Sequence, residues 1–365
     1  MIHLSKLLRG GDYPGDGVRF PKDAEEGTAP VVVWHITGNC NLKCWHCYAA
    51  NVDVPVMPRA EALDFLDALG RLNPPSLLFS GGEPFVHPNF PEFLDRASDL
   101  SLRVSISTNG TMIDAAAARF LKGKASYVGV SLDGPKKAHD AFRGVDGAFD
   151  KTLSGISNLK EAGLRVGLRF TMTRPLLPHV SDIMKLAENL GVDRICFYHF
   201  IPSGRGVSTL CPTREEIRAV LFSLFEWVET GSAKTPREVL TVGNFSDGIL
   251  LSLWLSERGD VRGANVLNLL ERSKGGRSGK GIVSVRWDGT IFADQFSWRS
   301  EELGHWTDMG KLFGRETDNK PIKPAIGGRC GICRWLSICR GNMRARADEN
   351  GEDIGCVLLD EEVLP

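Results

Sequence analysis

The sequence carries almost no net charge, few tyrosines and no long apolar run. Forty-four Lys+Arg against 45 Asp+Glu leave a net charge of −1. No bulk field therefore draws the chain to nucleic acid or to an anionic membrane. No apolar run approaches the ~18 residues that a membrane span needs. The opening MIHLSKLLRGGDYPGDG reaches Gly, Pro and Asp before a signal-type apolar region forms. Repeats and low-complexity tracts are also absent. The expectation is a cytoplasmic protein with neither nucleic acid nor membrane as a partner. Hydrophobic residues make up 42% and charged residues 24% of 365 residues, enough for a substantial core and an appendage. Cysteine, by contrast, is plentiful at nine. An odd count in a chain this long does not suit a secreted disulfide framework. Seven of the nine fall in two tight groups, and clustered thiols in a reducing compartment point to metal.

From residue 31 the chain alternates β-rich runs with segments of helical periodicity. The runs are VVVWHIT, SLLFSGG, RVSISTNG, YVGVSLDG, RVGLRFTMT and RICFYHFIP. Between and after them lie helical patterns at 59–72, 89–100, 114–123, 149–163, 180–191 and 213–231. Six β-then-α units demand a parallel sheet with right-handed crossovers, either an open wound sheet or a curved partial barrel. The fold class is thus α/β. Residues 1–30 read as an N-terminal extension, 31–235 as the α/β unit and 236–275 as a helical linker. In residues 276–365, IVSVRWDGTIFAD reads as a hairpin turning at Asp288-Gly289. This last segment reads as a small domain, poor in apolar runs and in need of a metal staple.

Cys40, Cys44 and Cys47 form C-x3-C-x2-C directly after the first run. Loops at the carboxyl ends of parallel strands build the site in such folds. Three thiolates from one loop hold three irons of a [4Fe–4S] cube and leave the fourth open. Zinc, with His46 or His35 as fourth ligand, is the alternative on spacing alone. Other strand ends carry Gly81-Gly82-Glu83-Pro84, Ser107-Thr108-Asn109-Gly110 and Ser131-Leu132-Asp133-Gly134. Each alone is an ordinary turn; three in register with a cysteine loop collect polar groups at one rim. Near the C-terminus, Cys330, Cys333, Cys339 and Cys356 supply four thiols, which suit zinc and [4Fe–4S] equally by spacing. Cys196 reads as a small buried hydrophobe and Cys211 as an incidental thiol. Tyr198, His199 and Arg205 fall at the end of the sixth run and are candidate catalytic or substrate contacts. His87 and His179, each beside a proline, read as surface residues.

These motifs resemble the radical S-adenosylmethionine (SAM) enzymes, over nearly the whole chain. The resemblance implies a partial (β/α)6 TIM-like barrel over 31–235, with Cys40, Cys44 and Cys47 on the cluster whose open iron chelates SAM. It implies SAM contacts by Gly81, Gly82, Glu83, Ser107, Asn109, Ser131, Asp133 and Arg169, and one-electron cleavage to a 5′-deoxyadenosyl radical. The hairpin followed by CGIC-x5-C resembles the SPASM/twitch extension. That implies a second [4Fe–4S] cluster on Cys330, Cys333, Cys339 and Cys356. Met343 and Asp294 stand where fuller SPASM domains carry cysteine, so one auxiliary cluster fits and two do not.

Several stretches resemble the tetrapyrrole branch: MIHLSKLLRG, CFYHFIPSGRG, EVLTVGNFSDG and DGTIFADQFSW before GRCGICRWLSIC. That branch includes 12,18-didecarboxysiroheme deacetylase, the siroheme-dependent haem synthase and the haem d1 maturation enzyme. The resemblance implies removal of acetate or propionate carbons from a siroheme-derived iron tetrapyrrole, with flavodoxin or ferredoxin as electron donor. Arg169, Arg205, Arg299, His199 and His305 are candidates to meet its carboxylates. Radical SAM peptide maturation is the alternative, and a non-catalytic zinc-binding interaction protein is the reading from another class.

Overall fold

The computed structural model describes residues 1–16, 29–50, 53–273, 275–276, 278–298, 302–313 and 325–364. Arg299 lies outside the described residues. All six β-rich runs form strands: β2 (Val31–His35), β3 (Leu77–Ser80), β4 (Val104–Thr108), β5 (Ala125–Ser131), β6 (Val166–Met172) and β7 (Arg194–His199). Each pairs in parallel with the next. Val32, Trp34, Phe170 and Phe197 share, through the parallel register, the face of the sheet that the helices cover, and are buried there. Ser107, Ser131, Arg169 and Tyr198, one step out of phase, take the inner face. Helices cover the outer face by their apolar stripes. Residues Arg59–Leu72 bury Ala62, Phe65, Leu66 and Leu69, and Phe65 packs edge-on to Trp34 at 5.0 Å. The helix Arg214–Thr230 starts in a capping box between Thr213 and Glu216.

The barrel extends beyond the six expected strands. Glu238–Val242 forms β8, parallel to β7 through Tyr198↔Val242, at the start of the segment read as a helical linker. The rest of that segment is helical, at Ser246–Glu257 and Arg262–Ser273. The N-terminal extension also enters the sheet: β1 (Ile2–His3) runs antiparallel to β8. A further helix, Lys136–Arg143, follows β5 and ends at Gly144 in the left-handed region; its few apolar residues hid it from a periodicity reading.

The expected hairpin is β9 (Ile282–Val285) and β10 (Thr290–Phe292), followed by β11 (Gly304–His305). β9 pairs in parallel with β2, Val31 opposite Ile282. One sheet therefore runs β1-β8-β7-β6-β5-β4-β3-β2-β9-β10-β11 among the described residues, a curved sheet with two ends. The thiol-rich tail folds into short helices, Gly328–Gly331 and Leu336–Cys339. It is tied to the barrel by Asn244 Nδ2–H donating to the Gly355 carbonyl at 2.8 Å and by the Arg218–Glu362 pair at 2.8 and 2.9 Å. Among the described residues, no helix is long and apolar enough to cross a membrane.

Candidate active site

The parallel register brings the carboxyl ends of β2 to β7 to one rim. Ser131 sits opposite Arg169, and Met172 opposite His199. The cysteine loop leaves β2 at this rim and is bound on two sides. Lys43 N–H donates to the Arg143 carbonyl at 2.9 Å, and Trp45 N–H to the Phe142 carbonyl at 3.1 Å. From the end of β7, Arg205 N–H donates to the Cys47 carbonyl at 3.0 Å and its Nε–H to the Cys44 carbonyl at 3.1 Å. Gly204, at φ +59°, must be glycine: a Cβ would stand 2.3 Å from the Cys47 carbonyl oxygen. The loop is thus held by backbone ladders, leaving the thiols to face inward.

Cys40, Cys44 and Cys47 border one cavity with Gly81, Gly82, Ser107, Asn109, Ser131, Arg169, Tyr198, His199 and Arg205. Of the residues expected to contact SAM, Glu83 and Asp133 lie behind its wall. Glu83 is 1% exposed. Its carboxylate accepts from Thr108 Oγ1 at 2.8 Å, Asn109 N–H at 2.7 Å and Phe85 N–H at 3.3 Å. Burial nevertheless pushes its pKa up to about 7. Glu83 therefore fixes the end of β4, which in turn points Asn109 at the site: Asn109 Nδ2–H reaches Cys40 Sγ at 3.9 Å and Asn41 Oδ1 at 2.8 Å. Asp133 is fully buried and ion-paired to Arg143. Burial alone would raise its pKa, but the Arg143 guanidinium, His46, His139 and the Thr171 N–H together outweigh that and hold the carboxyl below its ordinary value.

The glycines after β3 are required by close packing of the backbone as well as by the turn. A Cβ on Gly82 would stand 2.1 Å from the Asn39 carbonyl oxygen. Gly82 N–H donates to the Thr37 carbonyl at 2.7 Å and Glu83 N–H to that of Asn39 at 2.9 Å. Gly82 is needed so that the end of β3 can pack against the chain entering the cysteine loop. Its backbone still borders the cavity.

His46 stacks on Phe142 at 4.7 Å and burial lowers its pKa to about 4. His35 lies off the cavity wall, edge-on to Trp298 at 4.8 Å, with its pKa lowered by burial to about 3. Among the described residues, no group of three or more His, Cys, Asp or Glu closes on a single-ion position. Thiolates on the corners of an iron–sulfur cube stand further apart than the ligands of one ion. The inward thiols, together with the N–H donors aimed at Cys40 and Cys44, fit such a cube.

A second, larger cavity in the barrel lumen meets the first at Tyr198, His199, Gln295 and Phe296. The Arg169 guanidinium lies 4.8 Å from the Tyr198 ring centre, and burial pushes the Tyr198 hydroxyl up to about 12. His199 Nε2 is 2.8 Å from Asp247 Oδ2, a buried pair on the wall between the cavities. Arg205 is committed to the cysteine loop. His305 borders neither cavity; its Nε2 is 3.2 Å from the Asp288 carbonyl. His87 and His179 are half-buried and make local contacts, His87 accepting from Asn89 N–H at 3.2 Å and His179 facing Asp182 at 3.2 Å. Tyr48, Arg143, Gln295 and Phe296 line the site without having been read from sequence. Only Tyr48, within CWHCY, had a local signal.

In the tail, Cys330, Cys333, Cys339 and Cys356 border one small cavity. Asp353 N–H points at Cys330 Sγ and Trp335 N–H at Cys333 Sγ, both at 3.4 Å. Four thiols with backbone N–H donors on two of them suit a second cluster.

An open parallel barrel with a three-thiol loop at its rim defines an iron–sulfur enzyme. Residues 34–190 match the Radical SAM superfamily. Over its full length the chain is 38% identical to the Fe-coproporphyrin III synthase of Methanosarcina barkeri, covering 99% of that protein. It is 32% identical to the pre-heme d1 synthase of Dinoroseobacter shibae, over 94% of this chain and 89% of the relative. The solved structure of Streptococcus suis SuiB bound to precursor peptide SuiA shares the fold, with a TM-score of 0.71 at 16% identity, over 89% of this chain and 74% of that one. The chain belongs to the radical SAM superfamily. It is an enzyme that uses SAM and a [4Fe–4S] cluster.

Proposed function

We propose that this enzyme removes acetate arms from a siroheme-derived iron tetrapyrrole, as a 12,18-didecarboxysiroheme deacetylase does. The observation that carries the reading is the pair of joined cavities. The smaller holds the thiols and the polar rim; the larger, about 370 Å³ in volume, opens from it across Tyr198 and His199. The names of the two relatives add chemistry. Taking the hydrogen from the propionate-bearing carbon of each reduced ring of didecarboxysiroheme, with cleavage of the neighbouring bond to the acetate arm, closes the ring double bond and leaves methyl groups and propionates in the pattern of coproporphyrin III. The departing carboxymethyl radical takes up an electron and a proton to leave as acetate.

In this reading Cys40, Cys44 and Cys47 hold the cluster, while Gly81, Gly82, Ser107, Asn109, Ser131 and Arg169 receive SAM. When bound, cluster and SAM supply a reductively formed carbon radical that abstracts hydrogen. Glu83 and Asp133 act from behind the wall, by holding Asn109 and Arg143. Tyr198 and the His199–Asp247 pair stand between the cofactor and the substrate, where they orient the macrocycle and exclude water. Arg169, which lines the smaller cavity beside the Tyr198 ring, meets the carboxylate of SAM. Cys330, Cys333, Cys339 and Cys356 hold a second [4Fe–4S] cluster in a SPASM/twitch-like tail over 276–365, and a flavodoxin or ferredoxin delivers the electron.

The test is anaerobic, reduced holoenzyme with SAM and 12,18-didecarboxysiroheme. The expected result is 5′-deoxyadenosine together with conversion of the isobacteriochlorin spectrum to a porphyrin spectrum. SAM cleavage without binding of any iron porphyrinoid would overturn the assignment and favour a peptide substrate.

A further inference from the structure

Asp133, Arg143 and Cys44 form a buried chain behind the cysteine loop. Asp133 stands two residues past β5 and Arg143 ends the helix Lys136–Arg143, so the βα turn itself folds one over the other. The carboxylate is 0% and the guanidinium 8% exposed. Arg143 pairs with Asp133 through one terminal nitrogen and reaches Cys44 Sγ with the other at 3.6 Å. The second Asp133 oxygen accepts Thr171 N–H at 3.3 Å, which fixes the carboxylate to β6. The ion pair is thus anchored on the side away from the thiol.

We propose that this pair sets the reduction potential of the cluster that Cys44 ligates. A guanidinium N–H donated to a cluster thiolate withdraws electron density from sulfur and favours the reduced, more negative state. Asp133 opposes that effect through its own charge and holds Arg143 in place. Both groups sit in a low-dielectric region, where a single charge weighs heavily. Arg143 and Asp133 are therefore positioning residues that tune the cluster with opposite signs. The inference rests on Cys40, Cys44 and Cys47 holding the cluster; the identity of the tetrapyrrole does not enter.

The test is an EPR-monitored redox titration of reconstituted full-length protein, following the signal that changes when SAM is added. R143M should move that midpoint to lower potential, because it leaves a buried carboxylate beside the cluster. D133N should move it to higher potential, because it frees the guanidinium from its counter-charge. R143K, which keeps charge without the fork, should fall between R143M and wild type. Unchanged midpoints with iron retained, or two shifts of the same sign, would overturn the proposal. If R143M takes up no iron, D133N and R143K decide, and an unmoved D133N overturns it. A SAM-sensitive signal that survives in C40A/C44A/C47A would instead refute the ligand assignment.

Discussion

Arg205 Nε lies 3.1 Å from the Cys44 carbonyl oxygen, so the end of β7 grips the loop that leaves β2. A hydrogen bond from a charged donor is worth about 1.5–3 kcal/mol. R205A should therefore loosen the loop and speed iron loss to a chelator several-fold, with R205K intermediate. Iron release followed by absorbance checks this. Wild-type release kinetics with weakened tetrapyrrole binding would return Arg205 to the role of substrate contact.

The tail offers one complete set of thiols, so two cubes give about eight irons per chain. C330A/C333A should reduce that to about four and leave the SAM-sensitive signal in place. Metal and sulfide analysis of anaerobic protein reads the count. A value near twelve, or four irons with one zinc, would contradict a single auxiliary [4Fe–4S] cluster.

Gly82→Ala places a methyl group 2.1 Å from the Asn39 carbonyl oxygen, a backbone atom that cannot rotate away. The clash is on the order of 1–3 kcal/mol, and relief requires the chain entering Cys40 to move. G82A should lower the thermal midpoint and the iron content of the first site, while tail iron is unchanged. G310A is the control, since a Cβ there meets nothing within 4 Å and the backbone is not in the left-handed region.

Glu83 gives a pH signature. Burial raises its folded pKa from 4.5 to about 7, so between those values the folded state binds the proton more tightly than the unfolded chain. Stability from this group is then greatest below 4.5, falls as pH rises through the window, and levels off above 7. The change is on the order of 3 kcal/mol. E83Q removes it. The difference in urea midpoint between wild type and E83Q should vary with pH across the window and be flat above it.

The expected strands were legible because Val31–Val33, Leu77–Phe79 and their successors are short apolar runs ending in turn residues. β8 was hidden: it opens on the charged Glu238, and its partners are Ile2–His3 and β7, the first of them far away in sequence. Strand ends located the rim, yet not which way their side chains turn. Glu83 and Asp133 stand at the ends of β3 and β5 but point into the wall, because Asn109 N–H and the Arg143 guanidinium supply partners there. Arg143 itself lies 99 residues from Cys44 in a polar helix, with no local mark of that contact. Arg205 follows β7 by six residues, and its turn towards the cysteine loop follows from Gly204 packing on Cys47, which only the folded chain displays.

The pairing of β2 with β9 has a consequence for synthesis. β2 carries the cysteine loop, yet one of its edges is completed by Ile282–Val285, and β8 is bordered by the dipeptide at the very N-terminus. A chain emerging from the ribosome therefore holds an unpaired β2 edge until some 250 residues later, the kind of distant closure that folds slowly and exposes a sticky strand meanwhile. Cluster insertion on the nascent barrel would act on a loop whose supporting strand is still half bounded. Truncations ending before β9 should therefore leave that edge open and yield aggregated protein with little iron at the first site.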